Sequence, residues 1–253
     1  MRRPLGWLFL IPLVLTPPAA LAADLTRAEI QAALAAASGG QGASFVGKSM
    51  AGLDLRELDF TGADLSGTDL SAADLRAAKL VDAKLVGANL RGARLNQAWI
   101  IGADFSKADL SAAALETLVV SEGMETRPAE AARFTGANLS GAKIMARFSL
   151  DDMQGANLSQ IKAAADMRNQ SMGLIRADFS RANLTGANFA GAMLGNASFQ
   201  FARLTGADFT GANLTDADLA GADLTNADFT GATTTGASFQ SAVMTGVRGL
   251  GKL

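Results

Sequence analysis

The chain has no cysteine, no histidine and no tyrosine. Without cysteine there is no disulfide, no thiolate nucleophile and no thiolate metal site. Without histidine the commonest general base and metal ligand is missing. Aromatics make up 6% of residues while apolar residues reach 49%, so the core must be built from small, uniform units, mainly Ala and Leu. Proline is scarce, at Pro4, Pro12, Pro17, Pro18 and Pro128. The long stretch holding only Pro128 suits a backbone that is hydrogen-bonded almost everywhere. Charge is nearly balanced at −2, which points to neither nucleic acid nor anionic lipid as a partner.

The first segment, MRRPLGWLFLIPLVLTPPAALAAD, has Arg2 and Arg3, an apolar run, and a small-x-small site at Ala20-Leu21-Ala22. Pro12, Pro17 and Pro18 cut that run short of the ~20 residues an anchor needs. These features predict a cleaved export signal over residues 1–22. They place the mature chain in the bacterial periplasm or outside the cell, with no stable membrane insertion after cleavage. Residues 23–40 predict a short helix and linker. Thr26 and Glu29 form a capping box, Leu25 and Ile30 a hydrophobic staple, and Gly39 and Gly40 a stop. A lid over the start of the next domain is the preferred use of this helix, a mobile leader the alternative.

From Phe45 onward, Leu or Phe recurs every fifth residue, with Ala two places before it and Asp or Asn one place before. The period of five is neither 3.6 nor 2. Centres run from Leu55 and Phe60 to Leu115, resume at Phe134, drop one residue at Phe148, and run again from Phe179 to Met244. These residues resemble the pentapeptide-repeat family, A-(D/N)-L-x-x in tandem. The resemblance implies an all-β fold, a right-handed quadrilateral β-helix with four repeats per coil. The expected domain is 41–247, interrupted by a projecting loop at 116–133 and an irregular coil at 160–173, where Met167 and Met172 stand in as centres. A tail of 248–253 follows. One repeat cannot offset the cost of ordering five residues, so stacking must stabilise the rod. At about 4.8 Å per coil, some ten coils make a rod of roughly 45–50 Å.

Residues 20 apart should stack. Phe189, Phe209 and Phe229 fall in one inward column, and Phe179, Phe199 and Phe239 in another on the opposite side. Outward columns include Asp64, Lys84 and Asp104, and Asp54, Asp74 and Arg94. These read as a solvated, charge-managed wall. Asp151–Asp152 and Asp216–Asp218 are close in sequence, but nothing places them across a cleft. No catalytic residue, cofactor or metal site is therefore expected.

Functional residues are sought where the repeat departs from monotony. The candidate protein contacts are Met124, Glu125, Arg127 and Pro128 in the first break, Arg168 in the second, and Trp99. Trp99 takes an outward position where Asp or Asn is usual, either exposed as a contact or packed under the loop. The leading expectation is a non-enzymatic scaffold or protein-binding rod of the bacterial cell envelope. Its open end is placed to pair with a second copy. The family resemblance implies an alternative, a cytoplasmic DNA mimic that protects gyrase. This chain lacks the C-terminal helical module of those dimers and carries an export signal. A purely structural or assembly factor is the third reading.

Overall fold

The computed structural model describes residues 23–37, 42–123, 125–164 and 176–251. The predicted signal, Met124 and Arg168, and the proposed centres Met167 and Met172 lie outside them. Between Ser44 and Arg248 the described residues wind in coils joined by parallel bridges. Ser44 pairs with Asp64, Asp64 with Lys84, and Lys84 with Asp104. Four such ladders run up the stack, one for each repeat in a coil.

Five residues suffice because every backbone N–H in a repeat has a separate acceptor. In the repeat Ala63 to Gly67, Ala63 N–H closes a turn on Phe60 O (2.9 Å), and Asp64 N–H reaches down to Ala43 O (2.9 Å). Leu65 and Gly67 N–H reach up to Lys84 O (2.7 Å) and Val86 O (3.0 Å). The fifth donor, Ser66 N–H, is taken by the Asp64 carboxylate at 3.0 Å. Gly67 has φ 63°, the left-handed conformation required at the third residue of a type II turn.

The outward Asp and Asn therefore do more than solvate a wall. Each accepts the N–H two residues on, as at Asp109, Asn157, Asn188 and Asp223. This is an Asx turn, which satisfies a donor the ladders leave over. Hydrogen bonds from Ser66 and Thr225 hold the carboxyls of Asp64 and Asp223 below the usual range.

The inward positions form the core. Phe189, Phe209 and Phe229 stack with ring centroids 4.9 and 4.8 Å apart. Phe148, Phe179 and Phe199 stack in another column at 5.5 and 5.1 Å. In the last coil Ala232, Phe239 and Met244 are only partly buried.

At the other end, helix α1 (Arg27–Ala36) begins with the capping box of Thr26 and Glu29. Ile30 is fully buried and Leu25 and Leu34 pack on the core. Asp24 exchanges bonds with Ser49, its N–H to Ser49 O and its carboxylate from Ser49 N–H, both 2.8 Å. Arg27 donates to the carbonyls of Asp54 and Arg56. These are the first coil's orphaned edge groups, so the segment lies as a lid on that coil.

The breaks are narrower than the sequence suggests. Glu116 to Val120 stay in the coil: β1 (Ala114–Glu116) pairs with β2 (Lys143–Met145), and Trp99 bridges Val119. Only residues 121–131 leave it. At the second break the coil continues through Lys162 and Ala163, with the small and large residues exchanged: Ile161 takes the Ala place and Ala163 the centre, both fully buried. The shortened step before Phe148 is a corner that loses one residue, a bend at Ala146 replacing the usual two-residue turn. Arg248 still bridges Asp228, so the tail begins one residue later than expected.

Ladder spacing shows how the insertions are absorbed. Ladder partners are 20 residues apart below the first break, as at Asn89–Asp69. Across it they are 29 apart, as at Arg133–Asp104. They fall to 19 at Asn157–Asn138 and rise to 31 at Asn183–Asp152. The ladders on either side of each longer step keep their register.

Candidate binding surface

The 121–131 segment does not project as a free loop. A 3-10 turn, Pro128–Glu130, folds it back on the coil, and Gly102 N–H bonds to Glu130 O at 2.8 Å. That carbonyl fills the rung the extruded chain vacated. The buried Glu130 carboxylate is the hub: it accepts Arg127 N–H at 2.8 Å and Arg127 Nε–H at 3.0 Å. Arg127 also pairs with Glu122 at 3.3 Å. These bonds from Arg127 pull the Glu130 carboxyl down to about 2. Of the predicted contacts, Arg127 and Pro128 are thus engaged in holding the loop's own shape. Glu125 is exposed at the tip.

The loop's exit is held by Asp151, which the sequence offered only as one of two neighbouring acids with no cleft between them. Asp151 occupies the inward Ala position of its repeat and is 1% exposed, while Asp152 points outward into a ladder. Ala132 is the first coil residue after the loop, so the preceding turn that normally accepts its N–H is missing. Asp151 Oδ1 takes that N–H at 2.9 Å, and Oδ2 has no partner. Burial pushes the Asp151 carboxyl well above the ordinary range. Repeat register alone exposes this site, because only an inward position separates the two neighbouring acids.

Trp99 stands in an outward ladder position between Lys79 and Val119, 39% exposed. Two cavities flank the loop. One of about 520 Å³ lies beneath Pro128 and Ala129, with Lys84, Asp104 and Arg133 on its wall. Another, of about 550 Å³, opens where the ladder carries no bridge between Val119 and Arg147. Among the described residues no cluster of three or more acidic side chains could hold a metal ion. Nor is any described helix long and apolar enough to cross a membrane. Among the described residues the arrangement is a coil bearing an anchored knob, with polar clefts around its base.

A sequence profile described as pentapeptide repeats matches in eight copies, over residues 41–71, 73–111, 174–211 and 212–248. No curated protein matches the chain. Among solved structures, HetL of the cyanobacterium Nostoc, a pentapeptide repeat protein involved in heterocyst differentiation regulation, is 28% identical. The likeness covers 88% of this chain and 96% of HetL, with a TM-score of 0.44. QnrB1, a plasmid-mediated fluoroquinolone resistance protein, is 19% identical over 81% of this chain and 91% of its own, TM-score 0.37. A pentapeptide repeat protein of the Arabidopsis thaliana thylakoid lumen is 31% identical over 48% of this chain and 72% of its own, TM-score 0.22.

Proposed function

The chain belongs to the pentapeptide-repeat family, and from that premise we propose that it is an exported, non-enzymatic rod that binds another protein in the bacterial cell envelope. The coil is taken as right-handed and square in section, as the resemblance implies. The observation that carries the reading is the anchored knob. A coil that can continue without interruption instead extrudes residues 121–131 and fixes them with Glu130, Gly102 and Asp151. A preorganised protrusion on a stiff support loses little entropy when it docks. Trp99, exposed on a neighbouring outer position, adds the kind of side chain that dominates protein interfaces. Export rests on the charged, apolar and small-x-small pattern of residues 1–22.

The test is the intact mass and N-terminus of the protein from separated periplasmic, membrane and cytoplasmic fractions. A chain starting near Ala23 in the periplasm supports the proposal. A full-length chain in the cytoplasm overturns it.

A further inference from the structure

Phe201 breaks the pattern of the corner column above the knob. It sits at the left-handed turn position with φ 56°, where a bulky side chain is a genuine outlier. It is also 60% exposed, the most exposed large apolar side chain described. Its ring lies across Gly221 of the next coil, where an added Cβ would come within 2.5 Å of two ring carbons. Two costs, backbone strain and wetted apolar surface, are kept together at one residue. Retained strain of this kind is a pointer to function.

The ring borders a groove of about 500 Å³, within the range of small-ligand sites. The knob's tip, Glu125 and Thr126, forms the facing wall. Thr126 Oγ1 is buried there without a hydrogen-bond partner. Gln200 is held by its amide nitrogen on Asp218 Oδ2 (2.5 Å), which leaves its carbonyl oxygen to accept. Asp178 is fixed by the Ser149 and Ser180 hydroxyls. Arg147 and Arg181 bring two positive charges to the lining and Glu125 and Asp178 two negative ones.

We propose that this groove binds a neutral saccharide, a short segment of glycan chain, with Phe201 as the platform for a sugar ring. Among the described lining residues the charges cancel, whereas a phosphate or carboxylate site favours a cationic excess. Its apolar surface is one aromatic plate and Leu150, too little for the deep pocket that an apolar peptide anchor fills. A pyranose ring presents a C–H face and a rim of hydroxyls that both donate and accept. The groove presents an aromatic face and a rim with both kinds of partner. The groove shares the knob's tip, Glu125 and Thr126, with the protein contact proposed above and adds a second ligand class.

The experiment titrates the 15N-labelled protein with tetra-N-acetylchitotetraose and, separately, maltotetraose. At least one sugar should shift the amides of Ser149, Leu150, Ser180, Arg181, Gln200 and Phe201, with a Kd in roughly the millimolar range or tighter. Phe201→Ala should weaken that binding by about tenfold or more, and Trp99→Ala should leave it unchanged. Alanine already occupies the same left-handed corner position at Ala72, Ala77 and Ala112, so the variant keeps the fold, which its own spectrum checks. Absence of shifts with both sugars, or binding that survives Phe201→Ala intact, overturns the proposal. So does a response to inorganic phosphate or an acidic peptide at these amides when neither sugar gives one.

Discussion

Replacing Asp151 with Asn should stabilise the protein at neutral pH and leave it unchanged in acid. An unfolded aspartate titrates near ~3.9. In the folded chain, burial pushes the Asp151 carboxyl well above that. A group whose folded pKa is raised favours the folded state fully below its unfolded pKa. That advantage is lost as pH rises through the folded value. Wherever the folded chain keeps that proton and the unfolded chain has lost it, folding takes up one proton. The cost is about 1.4 kcal/mol per pH unit above 3.9, and so at most about 4 kcal/mol at pH 7. Asn reproduces the neutral acid, keeps an oxygen for Ala132 N–H and has no proton to take up. Asp151→Asn should therefore gain up to about 4 kcal/mol at pH 7, shrinking toward zero by about pH 4. Asp151→Ala should also be insensitive to pH over this range. It should lie below Asn by about 1–3 kcal/mol, because Ala132 N–H is left buried and unpaired. Urea unfolding followed by circular dichroism at several pH values between 4 and 8 reads all three. An Asn variant less stable than the parent at pH 7, or a difference that does not change with pH, would refute the reasoning.

The remaining perturbations test other parts of the structure. Phe209→Ala, which removes the middle ring of a stacked column, should cost about 3–5 kcal/mol in denaturant unfolding. In the Asp151→Asn background, stability should fall below about pH 4, as Asp64, Asp223 and Asp228 are protonated. Their carboxyls are held low by hydrogen bonds from Ser66, Thr225 and Thr230, so the contribution they make above the unfolded pKa is lost as pH drops through the folded one. Glu130→Ala removes the hub of the knob, and limited proteolysis between residues 121 and 131 should speed up while the β spectrum stays the same. Gly221→Ala places a Cβ against the Phe201 ring at positive φ. It should destabilise by about 1 kcal/mol or more in thermal melting.

The fold was legible because the period of five is a direct record of the coil. Leu and Phe mark the centres, and the columns of Phe189, Phe209 and Phe229 and of Asp64, Lys84 and Asp104 stack as their spacing requires. The purpose of the outward acids was not legible. Solubility explains Asp and Asn equally well, and only the three-dimensional count of donors shows a fifth N–H in need of an acceptor. Break edges were hidden for a related reason. Val119 and Ala163 hold ladder or core positions through their backbone, which side-chain identity does not report. Phe201 escaped notice because an aromatic in an Ala- and Leu-rich repeat reads as core unless its place within the five is tracked. Arg127 was expected at an interface, and its ion pairs with Glu122 and Glu130, a few residues away on either side, were not read from the sequence.

The central structural claim is that the ladders stay in register across the extruded 121–131 segment. Engineered disulfides test it against a clean background, since the chain has no cysteine of its own. Asp109 and Asn138 are ladder partners, close enough for a bridge if parallel neighbours lie about 5 Å apart. Under mild oxidation, the Asp109→Cys/Asn138→Cys variant should crosslink rapidly with its β spectrum intact. The Asp109→Cys/Ala129→Cys variant, which carries the uninterrupted spacing of 20, should not. A crosslink in the second variant and none in the first would contradict the account.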